Sequence, residues 1–219
     1  MAKPVIVIVL FVALAAGIAV YLSNQTSASG GAANASQNAA LEKNSGGGHI
    51  RGKASAAVTL VEFGDYQCPS CGYYYPMVEE LLSRYPDRVK LEFHHYPLIQ
   101  MHAHALAAAM AAEAAGEQGK YWEMHDKLYQ HQPEWSMLPN PETQFLAYAG
   151  DIGLNANQFM RSVKSLDVEK RILEDIQRGS NAKVEGTPTF FINGRSLNPL
   201  PRGVDEFAVI IDSTTQSAK

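Results

Sequence analysis

The two cysteines of this 219-residue chain lie together, in the segment Cys68-Pro69-Ser70-Cys71. Sulfur atoms three residues apart can close a disulfide within one helical turn. The spacing therefore predicts a dithiol that alternates between reduced and oxidised states. Because the chain contains no further cysteine, a framework of structural disulfides is excluded. A bond that closes so short a loop would also stabilise the fold little.

The neighbouring residues indicate where the dithiol lies. Residues 57–63 are mostly apolar on both alternating faces, which is typical of a strand covered on both sides, and residues 70–84 read as a helix. Cys68 should therefore precede a helix that starts with Pro69. Free N–H groups and the positive end of the helix dipole stabilise a thiolate there. We expect Cys68 to be an exposed nucleophile of lowered pKa and Cys71 to be the more buried resolving thiol.

Glu62 is a second candidate, because a carboxylate is unusual in a strand that is covered on both faces. By alternation it shares a face with Val58 and Leu60. One interpretation is a partly solvated charge at the end of the sheet. The interpretation that we favour is a buried acid of raised pKa that exchanges protons with Cys71.

Pro188 is a third candidate, at the start of a short apolar strand. One interpretation is a simple strand-start proline, since a missing N–H matters least at that position. The functional interpretation is a cis peptide bond between Thr187 and Pro188 that lies against the dithiol. The backbone of Thr187 would then pair with an extended substrate. The sequence does not decide between the two isomers.

The remaining elements predict an interrupted α/β order. Strands are expected at residues 89–93 and 189–192, and Asn193-Gly194 is a hairpin turn signal. Residues from about 98 to 180 have helical patterns. The sequence thus predicts an α/β fold in which a small mixed sheet is interrupted by an all-helical insertion.

The amino-terminal segment, residues 1–22, differs in composition from the rest. An apolar run follows Lys3 and is long enough to span a bilayer, with Lys3 on the cytoplasmic side. A signal peptide cleaved near Ala33-Asn34-Ala35 is the alternative. Either interpretation exports the domain that follows.

The next segment, residues 23–53, consists mostly of small and polar residues and is predicted to be a flexible linker. His49 falls within it and receives no role. Residues 54–219 are then the folded domain. The net charge of −4 and the lack of a basic patch give no indication of nucleic-acid binding.

Three segments resemble DsbA-family thiol–disulfide oxidoreductases: Val61–Cys71, Tyr121–Leu128 and Val184–Gly194. The resemblance implies a thioredoxin-like fold with an inserted helical domain. It also implies that Cys68 is the attacking and attacked sulfur, that Cys71 is its buried partner, that Glu62 is the family's buried acid, and that Pro188 is a cis-proline. The best-known members have His where this chain has Ser70, which can offer only a hydrogen bond. Membrane-anchored relatives with Cys-Pro-Ser-Cys are similar throughout.

The same resemblance implies an oxidase that gives its disulfide to reduced secreted or cell-envelope proteins. We expect a domain on the extracytoplasmic or periplasmic side of the cell membrane, reoxidised by a membrane partner of the DsbB or VKOR type. Because the linker occupies the place of a dimerisation module, a monomer is expected. Substrate contacts are expected from Pro69, Ser70 and Thr187, with no cofactor and no metal.

Other functions remain open at this point. An isomerase or reductase would use the same dithiol, and Thr187 before Pro188 is compatible with it. A peptide-binding chaperone without turnover is a further alternative. Two metal-binding alternatives remain: a copper carrier using Met101, His102 and His104, and a zinc site joining the cysteines to two of His94, His95, His102 and His104.

Overall fold

The computed structural model describes residues 47–216, in which five strands and eight helices form. The strands are β1 (His49–Gly52), β2 (Val58–Gly64), β3 (Val89–His95), β4 (Thr189–Ile192) and β5 (Arg195–Ser196). The helices are α1 (Pro69–Arg84), α2 (Ala105–Gly116), α3 (Tyr121–Gln130), α4 (Gln132–Trp135), α5 (Glu142–Asp151), α6 (Ala156–Ser162), α7 (Leu166–Asn181) and α8 (Val204–Gln216).

The five strands form one mixed sheet in the order β1-β3-β2-β4-β5. β2 and β3 are parallel, because α1 connects them as a crossover, whereas the other neighbouring pairs are antiparallel. Six helices, α2 to α7, lie between β3 and β4 in the sequence. The predicted fold class, a mixed sheet interrupted by a helical insertion, is confirmed.

The main hydrophobic core joins one face of the sheet to the helical insertion. Leu60 of β2 and Phe93 of β3 belong to the same buried cluster as Cys71 of α1. Met124 and Trp135 of the insertion also belong to this cluster. The dithiol helix is therefore held between the sheet and the insertion, and burial of these apolar surfaces is the main force that holds it there.

The opposite face of the sheet is covered as well. Val61 and Phe63 of β2 pack with Phe191 of β4 and with Ala182 and Val184, which follow α7. β2 is thus covered on both sides, as its continuous run of apolar residues predicts.

The predicted linker of residues 23–53 is wrong at its carboxyl end, because residues 49–52 form strand β1 at the edge of the sheet. Arg51 helps to hold this strand, through ion pairs with Glu79 at 2.7 Å and Asp126 at 2.6 Å. The local sequence composition indicates a linker there. Pairing with β3 and the ion pairs of Arg51 are tertiary interactions, and they outweigh this local preference.

No helix within residues 47–216 is long and apolar enough to cross a bilayer. The predicted anchor or signal segment, residues 1–22, lies outside the described residues.

Candidate active site

Cys68 is the N-cap residue of α1, immediately before Pro69. Its backbone is extended, with φ −68° and ψ 120°, and its carbonyl accepts the first helical hydrogen bond, from the N–H of Gly72 at 3.1 Å. The sequence folds this way because proline is well suited to the first turn of a helix, where its missing N–H has no intrahelical partner. Both cysteines are present as free thiols.

The side chain of Cys68 is more buried than predicted. Cys68 is 6% exposed and Cys71 is 0% exposed, so the expectation of an exposed nucleophile is wrong in degree. Cys68 is buried by the segment that precedes β4, because its thiol donates a hydrogen bond to the carbonyl of Thr187 in that segment, at 3.3 Å. Pro69 and Ser70 are exposed, so the first turn of α1 lies at the protein surface.

The two thiols have pKa values that are shifted in opposite directions. A hydrogen bond from the thiol of Cys71 lowers the pKa of Cys68 to about 5; burial opposes this effect, and contacts with Thr187 and the N–H groups of Cys71 and Ser70 support it. Burial raises the pKa of Cys71 well above its ordinary value, and its hydrogen bond to Cys68 raises the pKa further. One sulfur is therefore ready to be a thiolate while its neighbour remains a proton donor.

Glu62 lies on the face of β2 that is turned towards the main core. It is 3% exposed and lies opposite Phe93 on β3 and Phe190 on β4. Burial raises the pKa of Glu62 to about 8, and the nearby charges of Glu79 and Cys68 add to the effect. The alternative of a partly solvated charge is therefore wrong, and a buried acid that is mostly protonated near neutral pH is what the structure holds.

The peptide bond between Thr187 and Pro188 is cis, and β4 begins at the next residue. The structure brings Thr187 together with Cys68, as the sequence predicts for a proline segment lying against the dithiol. Within residues 47–216 the buried hydroxyl of Thr187 has no hydrogen-bond partner. That hydroxyl is available to donate to a sulfur anion or to a bound chain.

A cavity of about 550 Å³ opens beside this segment. Thr187 and Pro188 form one part of its lining, and Leu197 and Leu200 form another. Thr187, whose carbonyl accepts the hydrogen bond from Cys68, is therefore shared between the reactive thiol and a cavity that is lined mainly by polar residues.

Asp65 is a site residue that the sequence prediction missed. It is 1% exposed, and its carboxylate accepts hydrogen bonds from the N–H of Gln67 at 2.8 Å, the N–H of Leu98 at 2.9 Å and Nδ1 of His102 at 2.7 Å. These bonds connect the turn before Cys68 to the segment that follows β3. The available signal was an aspartate at a strand end, where its side chain bonds the backbone two residues later.

Gln132, at the start of α4, is a second missed residue. Its side-chain amide donates to the carbonyl of Tyr66 at 2.6 Å and to that of Cys68 at 2.9 Å. A side chain at position 72 would collide with this amide, which accounts for Gly72 after the second cysteine. The residues that Gln132 holds are distant in the sequence, so no local pattern could have identified it.

The copper and zinc alternatives are not supported by the geometry. His102 is engaged with Asp65, the backbone N–H of His104 donates to Gln67, and Met101 is exposed. Among the described residues, the His, Cys, Asp and Glu side chains that could share a metal ion include neither cysteine.

These features define a class of site. A helix-capping cysteine of lowered pKa, a buried second thiol and a buried acid on the adjacent strand are arranged for thiol–disulfide exchange. A family model described as thioredoxin matches residues 44–213, and the chain therefore belongs to the thioredoxin family.

Several solved structures share this architecture. A thioredoxin-like oxidoreductase from Silicibacter pomeroyi DSS-3 is 27% identical, with a TM-score of 0.67 over 79% of this chain and 95% of the other. BdbD from Bacillus subtilis, in its oxidised form, is 22% identical, with a TM-score of 0.68 over 76% and 92%. The thiol-disulfide exchange protein alpha-DsbA2 from Wolbachia pipientis is 20% identical, with a TM-score of 0.67 over 84% and 98%. The fold is the DsbA-like form of the thioredoxin fold, as the resemblance predicted.

Curated relatives carry a different name. Two proteins named Na(+)/H(+) antiporter NhaA, from Salinispora arenicola and Salinispora tropica, are 43% identical over 147 residues and 39% identical over 171 residues. These alignments cover 67% and 78% of this chain but 22% and 25% of the relatives. The chain thus spans about a quarter of the length of these relatives. Their name therefore describes longer proteins, and this chain matches only a part of each.

Proposed function

We propose that this chain is an exported thiol–disulfide oxidoreductase that donates the Cys68–Cys71 disulfide to reduced secreted or cell-envelope proteins. The observation that carries the proposal is the opposite shift of the two thiols, with the pKa of Cys68 lowered to about 5 and that of Cys71 raised. A stabilised thiolate is a good leaving group, and stabilising the reduced enzyme favours transfer of the disulfide to the substrate.

The reaction has two exchange steps. A substrate thiolate attacks Sγ of Cys68, the bond between Cys68 and Cys71 breaks, and the electron pair stays on Cys71, which takes a proton. A second substrate thiolate then attacks the substrate sulfur of the mixed disulfide and releases the Cys68 thiolate. The substrate gains a disulfide and loses two electrons, and the enzyme gains them as a dithiol.

Glu62 is proposed to supply the proton in the first step. With a pKa of about 8 it is mostly protonated near neutral pH, and it lies in the same buried region as Cys71, whose pKa its charge raises. A protonated acid can neutralise the Cys71 thiolate as it forms, and it recovers its proton when the dithiol is reoxidised.

The proline segment is proposed to bind the substrate chain. Pro69 and Ser70 offer an exposed surface next to Cys68, and Thr187 borders the cavity of about 550 Å³. An extended peptide that pairs with the backbone of Thr187 would place a cysteine near Cys68 and a flanking side chain in the cavity.

We further propose that the domain works as a monomer outside the cytoplasm, at the cell membrane, and is reoxidised by a membrane partner of the DsbB or VKOR type. The apolar run within residues 1–22, after Lys3, supports a membrane location or export. The match to part of Na(+)/H(+) antiporters is a second support, since it indicates that related domains occur in membrane proteins.

A single-turnover experiment tests the proposed direction. The oxidised full chain is mixed with an equal amount of a reduced peptide that contains two cysteines, and both products are measured by mass after an acid quench. We expect oxidised peptide and dithiol enzyme in equal amounts, and no product with Cys68→Ala, which cannot form the disulfide. If the peptide stays reduced while the enzyme keeps its disulfide, donation is the wrong direction and a reductase is favoured.

A further inference from the structure

We propose that His49, His95 and Glu113 form a binding site for one divalent transition-metal ion, with Zn²⁺ as the best match. These three residues come from β1, β3 and α2, and one ligand atom from each lies within 4.8 Å of the others. The site is independent of the proposed thiol chemistry, since neither cysteine belongs to it.

The distances between the ligand atoms are close to those that an ion requires. In this structure Nε2 of His49 and Nε2 of His95 both bond to Oε1 of Glu113, at 2.5 Å and 3.1 Å. Zinc bonds to nitrogen and oxygen are about 2.0–2.2 Å long, so two ligand atoms on a tetrahedral ion are about 3.3 Å apart. His95 and Glu113 already have nearly this separation, and His49 must withdraw by less than about 1 Å.

The outward shift falls on the ligand that borders the surface. His95 and Glu113 have side chains that are 1% and 4% exposed, whereas that of His49 is 28% exposed. His49 also lies on the short edge strand β1. Two ligands are thus fixed in the interior, and the third can move outward as an ion and its water enter from the surface.

Arg171 orients the carboxylate for single-oxygen coordination. Its Nε donates to Oε2 of Glu113 at 2.7 Å, which leaves Oε1 turned towards the two imidazoles. Groups that hold a ligand from behind are typical of metal sites and determine which atom faces the ion. Two imidazoles and one carboxylate, with a position left for water, are a ligand set that suits zinc better than calcium or magnesium.

Tyr121 lies between this site and the active-site turn, and an ion bound to Nε2 of His95 would replace the hydrogen bond that this nitrogen makes with the Tyr121 hydroxyl. The hydroxyl of Tyr121 lies 3.3 Å from Nε2 of His95 and 3.1 Å from the hydroxyl of Tyr66, which is two residues before Cys68. An ion at this site would join the edge strand β1 to β3 and to the insertion helix α2.

Zinc binding is tested with the untagged full chain carrying Cys68→Ser and Cys71→Ser, so that thiols do not compete for the ion. Zn²⁺ is titrated in the presence of a chromogenic chelator. We expect one bound equivalent, and an affinity at least tenfold lower after the further change His49→Ala. His131→Ala is the matched control, since His131 pairs with Glu134 at 3.1 Å on the surface, and it should leave the affinity unchanged.

A second measurement does not depend on whether the variant folds. X-ray absorption of the zinc-bound parent should show two imidazole ligands together with oxygen. No bound zinc in the parent, equal affinity in a folded His49→Ala variant, or a zinc shell without imidazole would each overturn the proposal.

Discussion

Removing the thiol of Cys71 should raise the pKa of Cys68, because the hydrogen bond from Cys71 is the largest cause of its low value. The informative change is Cys71→Ala, which deletes the donor and leaves Cys68 as the single thiol. The matched control is Cys71→Ser, since serine keeps an O–H donor at the same position.

The expected rise in the pKa of Cys68 can be calculated from the hydrogen bond that is lost. The pKa of Cys68 is about 5 against an ordinary value of 9.0, which corresponds to a preference for the thiolate of about 5 kcal/mol. A hydrogen bond to a charged group contributes about 1.5–3 kcal/mol. Loss of the Cys71 thiol should therefore raise the pKa of Cys68 by about 1–2, to roughly 6–7.

The assay is the rate of Cys68 alkylation as a function of pH, with thiolate absorbance in the ultraviolet as a second readout. In Cys71→Ser the half-reaction pH should stay within about 0.5 of the value for the wild-type protein. The same half-reaction pH in Cys71→Ala and wild type would refute the assignment of the hydrogen bond as the main cause. The helix N-terminus and the segment of Thr187 would then account for the low pKa.

Two further variants test the buried groups around the dithiol. Because folding raises the pKa of Glu62 from 4.5 to about 8, its contribution to stability is complete below pH 4.5 and is lost as the pH rises through 8. In urea unfolding of the oxidised form, wild type should lose on the order of 5 kcal/mol relative to Glu62→Gln across that range; parallel pH profiles would contradict the burial of an ionisable acid. Gln132→Ala removes the side-chain donor of the Tyr66 carbonyl and leaves the Cys68 carbonyl with the N–H of Gly72 alone, so it should lower the free energy of unfolding by about 2 kcal/mol. The exposed Gln130→Ala should change it by less than about 0.5 kcal/mol, and equal effects of the two would refute the role of Gln132.

The parts of the site that could be predicted from the sequence are those encoded by neighbouring residues. A proline after Cys68 sets the start of a helix, and an acid in a mostly apolar strand indicates a buried acid at Glu62. These signals depend on backbone geometry and on strand alternation, both of which extend over only a few residues.

The contacts that could not be predicted join distant parts of the chain. Gln132 bonds to the carbonyl of Cys68, 64 residues earlier, and His102 bonds to Asp65, 37 residues earlier. The extent of Cys68 burial depends in the same way on Thr187, 119 residues later. Strand β1 was missed because it is only four residues long, follows a run of glycines, and is ordered by pairing with β3 and by the ion pairs of Arg51.

The reduction potential of the Cys68–Cys71 pair, measured by equilibration of the full chain with glutathione buffers, tests the central claim most directly. Thioredoxin, with a nucleophile of pKa about 7, has a potential near −270 mV. Lowering that pKa to about 5 stabilises the reduced form near pH 7 by about 2 kcal/mol, or roughly 50 mV. We therefore expect a potential of about −220 mV or higher. A value at or below about −270 mV would show that the Cys68 thiolate is not stabilised enough to make this protein a disulfide donor.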